Sequence, residues 1–190
     1  MLTALLARYP DYTLVERPSA ALIARYRDQL PPEVLEVWEQ YGFSSFCAGY
    51  LKVVNPEDYA ELLADTYQLT SSPVPPPSLV LFATGMGDLL IWQNGFLSIV
   101  DYRHGRIKVI SKDTDFFFGD LAKSNMLMRD LQWEPYLAAR ERLGEPAYDE
   151  CFGYVPLLAL GGPETVDQLE KVKLREHIYL ISQVIGVLER

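Results

Sequence analysis

The chain has 190 residues, 49% of them apolar, enough to bury a substantial core, which sets aside a disordered chain. Its 26 Asp and Glu outweigh 17 Lys and Arg, and the net charge of −9 argues against direct nucleic-acid binding, where cationic side chains must neutralise phosphates. No apolar run reaches the ~18 residues of a membrane span. The N-terminal MLTALLARYP, soon interrupted by Pro10 and Asp11, has neither a basic leader nor a small-residue cleavage site, so it does not read as a signal peptide. Two cysteines, Cys47 and Cys151, demand no disulfide, and a reducing cytoplasm is the simpler setting.

In chain order, residues 2–8 form a short helix. Ser19 suits the N-cap of a helix over 20–30, where Leu22, Ile23, Tyr26 and Leu30 share a face. Pro31-Pro32 opens a second helix through Val34, Leu35, Trp38 and Tyr41, stopped by Gly42. Tyr50 to Val54 reads as a strand, and Asn55-Pro56 caps a third helix to about Tyr67. Four prolines in TSSPVPPPS, 70–78, can continue neither helix nor ladder, so this stretch is a loop or linker and the best internal boundary. Beyond it the period becomes that of strands: 79–83, 89–92, 96–102 and 106–110, with turns at Asn94-Gly95 and His104-Gly105, form an antiparallel meander.

Asp113 or Asp115 caps a helix at Phe116-Phe117-Phe118, and another helix covers 133–143 up to Gly144. Residues 145–163, rich in Gly and Pro, read as loop with one buried apolar stretch. The closing segment, 165–188, reads as helix broken near Lys171–Lys173, with Ile178, Ile181, Ile185 and Leu188 on one face and Leu180, Val184 and Val187 widening it into a buried stripe.

Residues capable of chemistry are scattered along the same path. Cys151, His177 and Asp149 could assemble a thiol nucleophile with its base, but the apolar run after Cys151 and the acids before it would raise the thiol pKa, which opposes catalysis. The two Cys and two His, at 47, 104, 151 and 177, contain no closely spaced ligand pair, so no metal is expected. Gly85 and Gly87 hint at a phosphate loop, but no lysine follows and the next residues are strand-like, so a tight connection is the better reading. The pair Asp149-Glu150 would diverge in an extended segment rather than face each other across a cleft. No cofactor site emerges. From Asp28 to Asp65, eight acids (Asp28, Glu33, Glu36, Glu39, Glu57, Asp58, Glu61, Asp65) face one base, Lys52. That is either a solvated surface or a face for a basic partner.

The words Leu30-Pro31, Trp38, Tyr41-Gly42-Phe43-Ser44-Ser45-Phe46, Gly49-Tyr50-Leu51, Val54-Asn55-Pro56 and Tyr59 come in order, followed by Gly87-Asp88-Leu89. Asp149-Glu150-Cys151-Phe152-Gly153-Tyr154-Val155-Pro156, Leu158-Ala159-Leu160-Gly161-Gly162, Leu169, Lys171-Val172 and Glu176-His177 complete them. Over about residues 17–188 the chain resembles the bacterial family that joins a GAD-like N-terminal domain to the C-terminal domain of type VI secretion DNase-immunity proteins. The resemblance implies a cytoplasmic protein that is no enzyme and binds a toxic nuclease effector, one to one, so that the producing cell survives. The implied partner is that effector alone, with no nucleic acid and no membrane.

The expected fold is α+β, a curved antiparallel sheet packed with N-terminal and C-terminal helices. A GAD-like helical region over 1–70 and an immunity C-terminal domain over 79–190, with its sheet at 79–110, share one compact body. Effector contact is expected from loops near the acidic face and strand ends: Phe46, Glu57, Asp58, Met86, Asp88, Tyr148, Asp149 and Glu150. The apolar part of DECFGYVPLLALGG reads as core, with Cys151 a small buried hydrophobe. Two rival functions stand beside this one: a hydrolase using Cys151 and His177, and an adaptor or chaperone for several effectors.

Overall fold

A computed structural model describes residues 2–70, 77–123, 131 and 133–190. Its frame is a seven-stranded antiparallel sheet in the order β1-β2-β3-β5-β6-β7-β8. The strands are β1 (Tyr12–Glu16), β2 (Phe43–Phe46), β3 (Leu51–Val53), β5 (Leu79–Thr84), β6 (Leu89–Gln93), β7 (Phe96–Asp101) and β8 (Arg106–Ser111). Register shifts at Leu14/Glu16, Val80/Phe82 and Leu97/Ser98 bend and twist it, as bulges do. Strand β3 pairs directly with β5, so a single sheet spans the proline-rich stretch; residues 71–76 of that stretch lie outside the described residues.

Helices cover both faces, sorted by the side-chain alternation of the strands. On one face Leu51, Val53, Phe82, Leu90 and Leu97 pack with α3 (Pro32–Tyr41), α5 (Thr114–Lys123) and α6 (Trp133–Leu143) through Val34, Trp38, Phe117, Phe118 and Tyr136. The short helices α1 (Leu2–Arg8) and α2 (Ala20–Tyr26) join that side. On the other face Val80, Ala83, Leu89, Ile91 and Val100 meet α4 (Pro56–Thr66) and α7 (Leu174–Ile185) through Tyr59, Leu62, Leu63, Leu174, Ile178 and Ile181.

The start signals act locally as their chemistry requires. Ser19 Oγ accepts from Leu22 N at 3.1 Å and Asn55 Oδ1 from Glu57 N at 3.2 Å, each satisfying an orphan amide of a helix N-terminus. Asp113 caps α5, its Oδ1 accepting from Asp115 N at 2.7 Å. Asn94 and Gly95 hold φ values of 53° and 76°, the pair of positive angles that a tight hairpin between twisted strands needs.

The structure corrects four sequence expectations. Helix α2 stops at Tyr26, not residue 30. Residues 145–163 contain a strand, β9 (Glu150–Tyr154), and 165–173 is not helix but a short 3₁₀ turn and strand β10 (Leu169–Lys173), paired antiparallel with β9. Leu180, Val184 and Val187 do not widen a buried stripe: they stand 54%, 42% and 47% exposed, on the water side of α7 and just beyond it. Strands β1 and β2 were not anticipated; β1 is exposed at every residue, so no burial pattern marks it. A two-stranded parallel ladder joins β4 (Tyr67–Gln68) to β11 (Leu188–Glu189). No helix among the described residues is long and apolar enough to cross a membrane.

Candidate functional site: an acidic turn and an apolar groove

The buried side chain of Lys52, in the middle of β3, underlies the site. Leu51 and Val53 face one core, so Lys52 points to the other. Its Nζ donates to Ala147 O at 2.8 Å and to Glu150 O, tying a sheet strand to the turn before β9. Tyr148, half-buried, adds a second tie: its hydroxyl donates to Val53 O at 2.6 Å. Burial pulls the Lys52 amine down to about 8, partly offset by Asp149, Glu150 and other nearby groups.

The turn presents Asp149 and Glu150 in a fixed geometry. Glu150 Oε2 accepts from Ala147 N at 3.0 Å, and Lys173 of β10 lies 2.7 Å from Asp149 Oδ2 and 3.3 Å from Glu150 Oε1. The Lys173 hydrogen bond holds Asp149 below the usual carboxylate range, and the backbone amide of Ala147 does so first for Glu150. Glu57 and Asp58 are exposed in the first turn of α4, where carboxylates suit the helix dipole. Glu57 pairs with Arg25.

The remaining three expected contacts lie in the interior. Phe46 is 1% exposed and packs against Tyr12 and Tyr41, each with ring centroids 5.7 Å away. Met86 and Asp88 are 0% exposed. Asp88 accepts from Thr84 Oγ1 at 2.9 Å and from Arg103 Nη2 at 3.1 and 3.0 Å, and burial lifts its carboxyl to about 6 against the pull of Arg103. Burial also opposes the charge of Arg103, but Asp88 and Asp101 hold its pKa above the ordinary value. The network runs on through Asp101 to His104, whose Nδ1 lies 2.8 Å from Asp101 Oδ2 and whose Nε2 lies 2.9 Å from Glu164 Oε1. As folded, these three residues support the frame beneath the surface.

Cys151 and His177 are both buried. Burial pushes the Cys151 thiol up to about 12 and pulls His177 down to about 4, the reverse of an activated nucleophile beside a working base. The imidazole packs on the backbone of β9: a Cβ at Gly153 would meet His177 Nε2 at 2.3 Å. Here glycine makes room for a ring.

The feature that sequence reasoning missed is an apolar groove of about 350 Å³ between the segment after β9 and α7. Val155, Leu157, Leu160 and Leu180 line it, with Lys173 and Glu176 at its edge. Where the signature DECFGYVPLLALGG was expected to be core throughout its apolar part, only Cys151 to Tyr154 are buried; Val155 is 39% and Leu160 66% exposed. The groove wall is built by its own backbone: Leu160 N and Gly162 N donate to Leu157 O at 3.0 and 3.1 Å, and Gly161 N to Leu158 O at 2.9 Å. A hint was present in the sequence, since Leu180 and Val184 make α7 too apolar for one face.

Residues 1–103 match the family model of the GAD-like domain, and residues 111–185 match that of the type VI secretion system immunity protein Tdi1, C-terminal. The chain belongs to the GAD-like family and carries a Tdi1-type immunity domain. Every lining residue of the groove falls inside that immunity domain, and Lys52, in the GAD-like part, holds the acidic turn of the immunity part. Residues 104–110, the turn after β7 and all but the last residue of β8, lie between the two matched stretches, within the sheet. The fold is shared with the crystal structure of Atu4351 from Agrobacterium tumefaciens, with a TM-score of 0.72, 18% identity, and coverage of 96% of this chain and 89% of that one. Comparison with curated proteins returned no match.

Proposed function

We propose that this protein neutralises one cognate type VI nuclease effector by binding it, one to one, and covering its DNA-binding or catalytic surface in the cytoplasm of the producing cell. The observation that carries the reading is the immunity-domain match over 111–185, the stretch that also holds the open groove. The net charge of −9 supports it. A DNase presents cationic groups to a phosphate backbone, and an acidic partner can occupy them and speed the encounter. Proposed contacts are Glu57, Asp58, Tyr148, Asp149 and Glu150, while Phe46, Met86 and Asp88 act from beneath. A stable complex of about 1,600 Å² would reach well beyond the groove.

The test is direct. A purified nuclease effector from the same genome is incubated with plasmid DNA and rising amounts of the protein. Cleavage should fall to background near equimolar protein, and the two should co-elute. Undiminished cleavage at tenfold excess, with no complex, would end the proposal.

A further inference from the structure

We infer that the groove between residues 155–160 and α7 receives an apolar side chain of the effector, branched aliphatic or aromatic, on a segment flanked by lysine or arginine. The inference rests on the proposed function and names the surface and chemistry that serve it.

The first ground is exposure without a use in the fold. Helix α7 already buries Leu174, Ile178 and Ile181 against the sheet, yet Leu180 is 54% exposed on its other side. Across the groove Leu160 is 66% and Val155 39% exposed. A single surface leucine is ordinary, but several converging on one concavity rimmed by polar groups mark an interaction site. The groove volume, about 350 Å³, sits at the lower end of the ~300–1,000 Å³ typical of binding clefts, so it suits an anchor rather than a whole domain.

The second ground is rigidity. The wall closes on itself through Leu160 N, Gly161 N and Gly162 N. Just beyond, Glu164 is held to the β7–β8 turn by His104 Nε2 at 2.9 Å. A wall fixed before binding loses little freedom when an anchor enters, which is how a few buried side chains come to dominate an interface.

Charge selects the occupant. Lys173, the cation at the groove, is occupied by Asp149 and Glu150. Glu176, also at the groove, has no ion pair among the described residues. From residue 145 to 190 there are eight carboxylates against four Lys and Arg. A basic flank is therefore drawn in and an acidic one repelled. The same field disfavours a second copy of this chain, whose net charge is −9.

The probe is a purified nuclease effector from the same genome, titrated calorimetrically with the full chain. Leu160→Asp and Leu180→Asp are combined in one variant, its fold checked by circular dichroism and thermal midpoint. The double variant should bind at least about thirtyfold more weakly, as loss of an anchor pocket does. Glu176→Lys should weaken binding several-fold at low salt. A folded double variant that binds within threefold of the wild type overturns the groove while leaving the proposed function intact. Failure of the wild type itself to bind the probe overturns both. Unchanged or tighter binding by Glu176→Lys overturns the basic flank. A wild-type dimer in sedimentation at ~100 µM that the two substitutions dissolve would assign the groove to self-association and overturn the inference.

Discussion

The two halves of the signature DECFGYVPLLALGG have similar apolar character and opposite fates. Cys151 to Tyr154 enter strand β9, pair with β10, and sink between the two helix layers. Val155 to Leu160 leave the ladder, wind into a 3₁₀ turn, and keep Leu160 in water. Composition cannot separate them. What separates them is where the backbone finds its hydrogen bonds: a strand with a partner carries its side chains into the layers, whereas a turn that closes on itself stays at the surface.

Core truncation should therefore split the signature sharply. Phe152→Ala removes a ring that is 0% exposed and in contact with Tyr136, at 5.4 Å between centroids. It should cost about 3–5 kcal/mol in urea unfolding. Leu160→Ala, eight residues away in the same apolar word, should change stability by less than about 0.5 kcal/mol. Equal losses at the two positions would erase the distinction.

Asp88→Ala should come next. It strips Arg103, itself buried and with Nε and Nη1 lacking a hydrogen-bond partner among the described residues, of the carboxylate that accepts through both oxygens from its Nη2. Removing one member of a buried pair costs about 3–5 kcal/mol, and Asp101, 3.6 Å from Arg103 Nε, still faces the guanidinium and places the loss toward the lower end. Asp88→Asn, which keeps an acceptor for Arg103 and Thr84, should lose less. Gly153→Ala belongs to the same class, since its Cβ would drive the His177 ring off β9.

The helix starts and the hairpin were legible because they depend on neighbours in sequence: Ser19 three residues before Leu22, Asn55 two before Glu57, Asn94 beside Gly95. The meander of 79–110 followed from a period of two and clear turns. Strand β9 was hidden by Gly153, which looks like a loop residue until the His177 ring is seen above it. Asp88 and Phe46 show the complementary limit. A carboxylate or an aromatic near a turn reads as surface, and only the tertiary placement of Arg103, or of Tyr12 and Tyr41, shows why it is buried. The groove was no more than hinted at, because periodicity reports that α7 is apolar but not which residues find a partner.

Lys52 ties the acidic turn to the sheet, and pH tests that tie. Its folded pKa, about 8, lies below the ordinary 10.5, so above pH 8 the unfolded chain holds a proton that the native chain has released. Stability should thus rise with pH between about 8 and 9, by no more than about 1.4 kcal/mol per unit. Above about 9 the sign turns. Buried Cys47 and Cys151, with thiols lifted to about 12 from 9, then keep protons that the unfolded chain has lost. Denaturant titrations at pH 7.5, 8, 8.5 and 9 should show the rise in the wild type and its loss in Lys52→Met. A wild-type curve that falls monotonically across this range would contradict a buried, depressed Lys52.

The smallest expected effect separates the groove from the acidic start of α4. Glu57 and Asp58 are exposed, and the Glu57–Arg25 pair, 40% and 62% exposed, is of the kind worth about 0.2–1 kcal/mol. Reversing both acids to lysine also opposes the dipole of α4, so it should lower the thermal midpoint by a few degrees without unfolding the protein. If these residues steer a basic effector, association in stopped flow should slow several-fold at low salt, and the difference should shrink near 0.15 M, where the Debye length is about 8 Å. The dissociation rate should stay close to wild type, because rim charges act on encounter more than on the docked complex. The Leu160→Asp and Leu180→Asp variant should do the opposite, speeding dissociation and sparing association, since an anchor acts only after contact. Were both variants to change the same rate constant, the acidic rim and the apolar groove would have to be one functional surface rather than two.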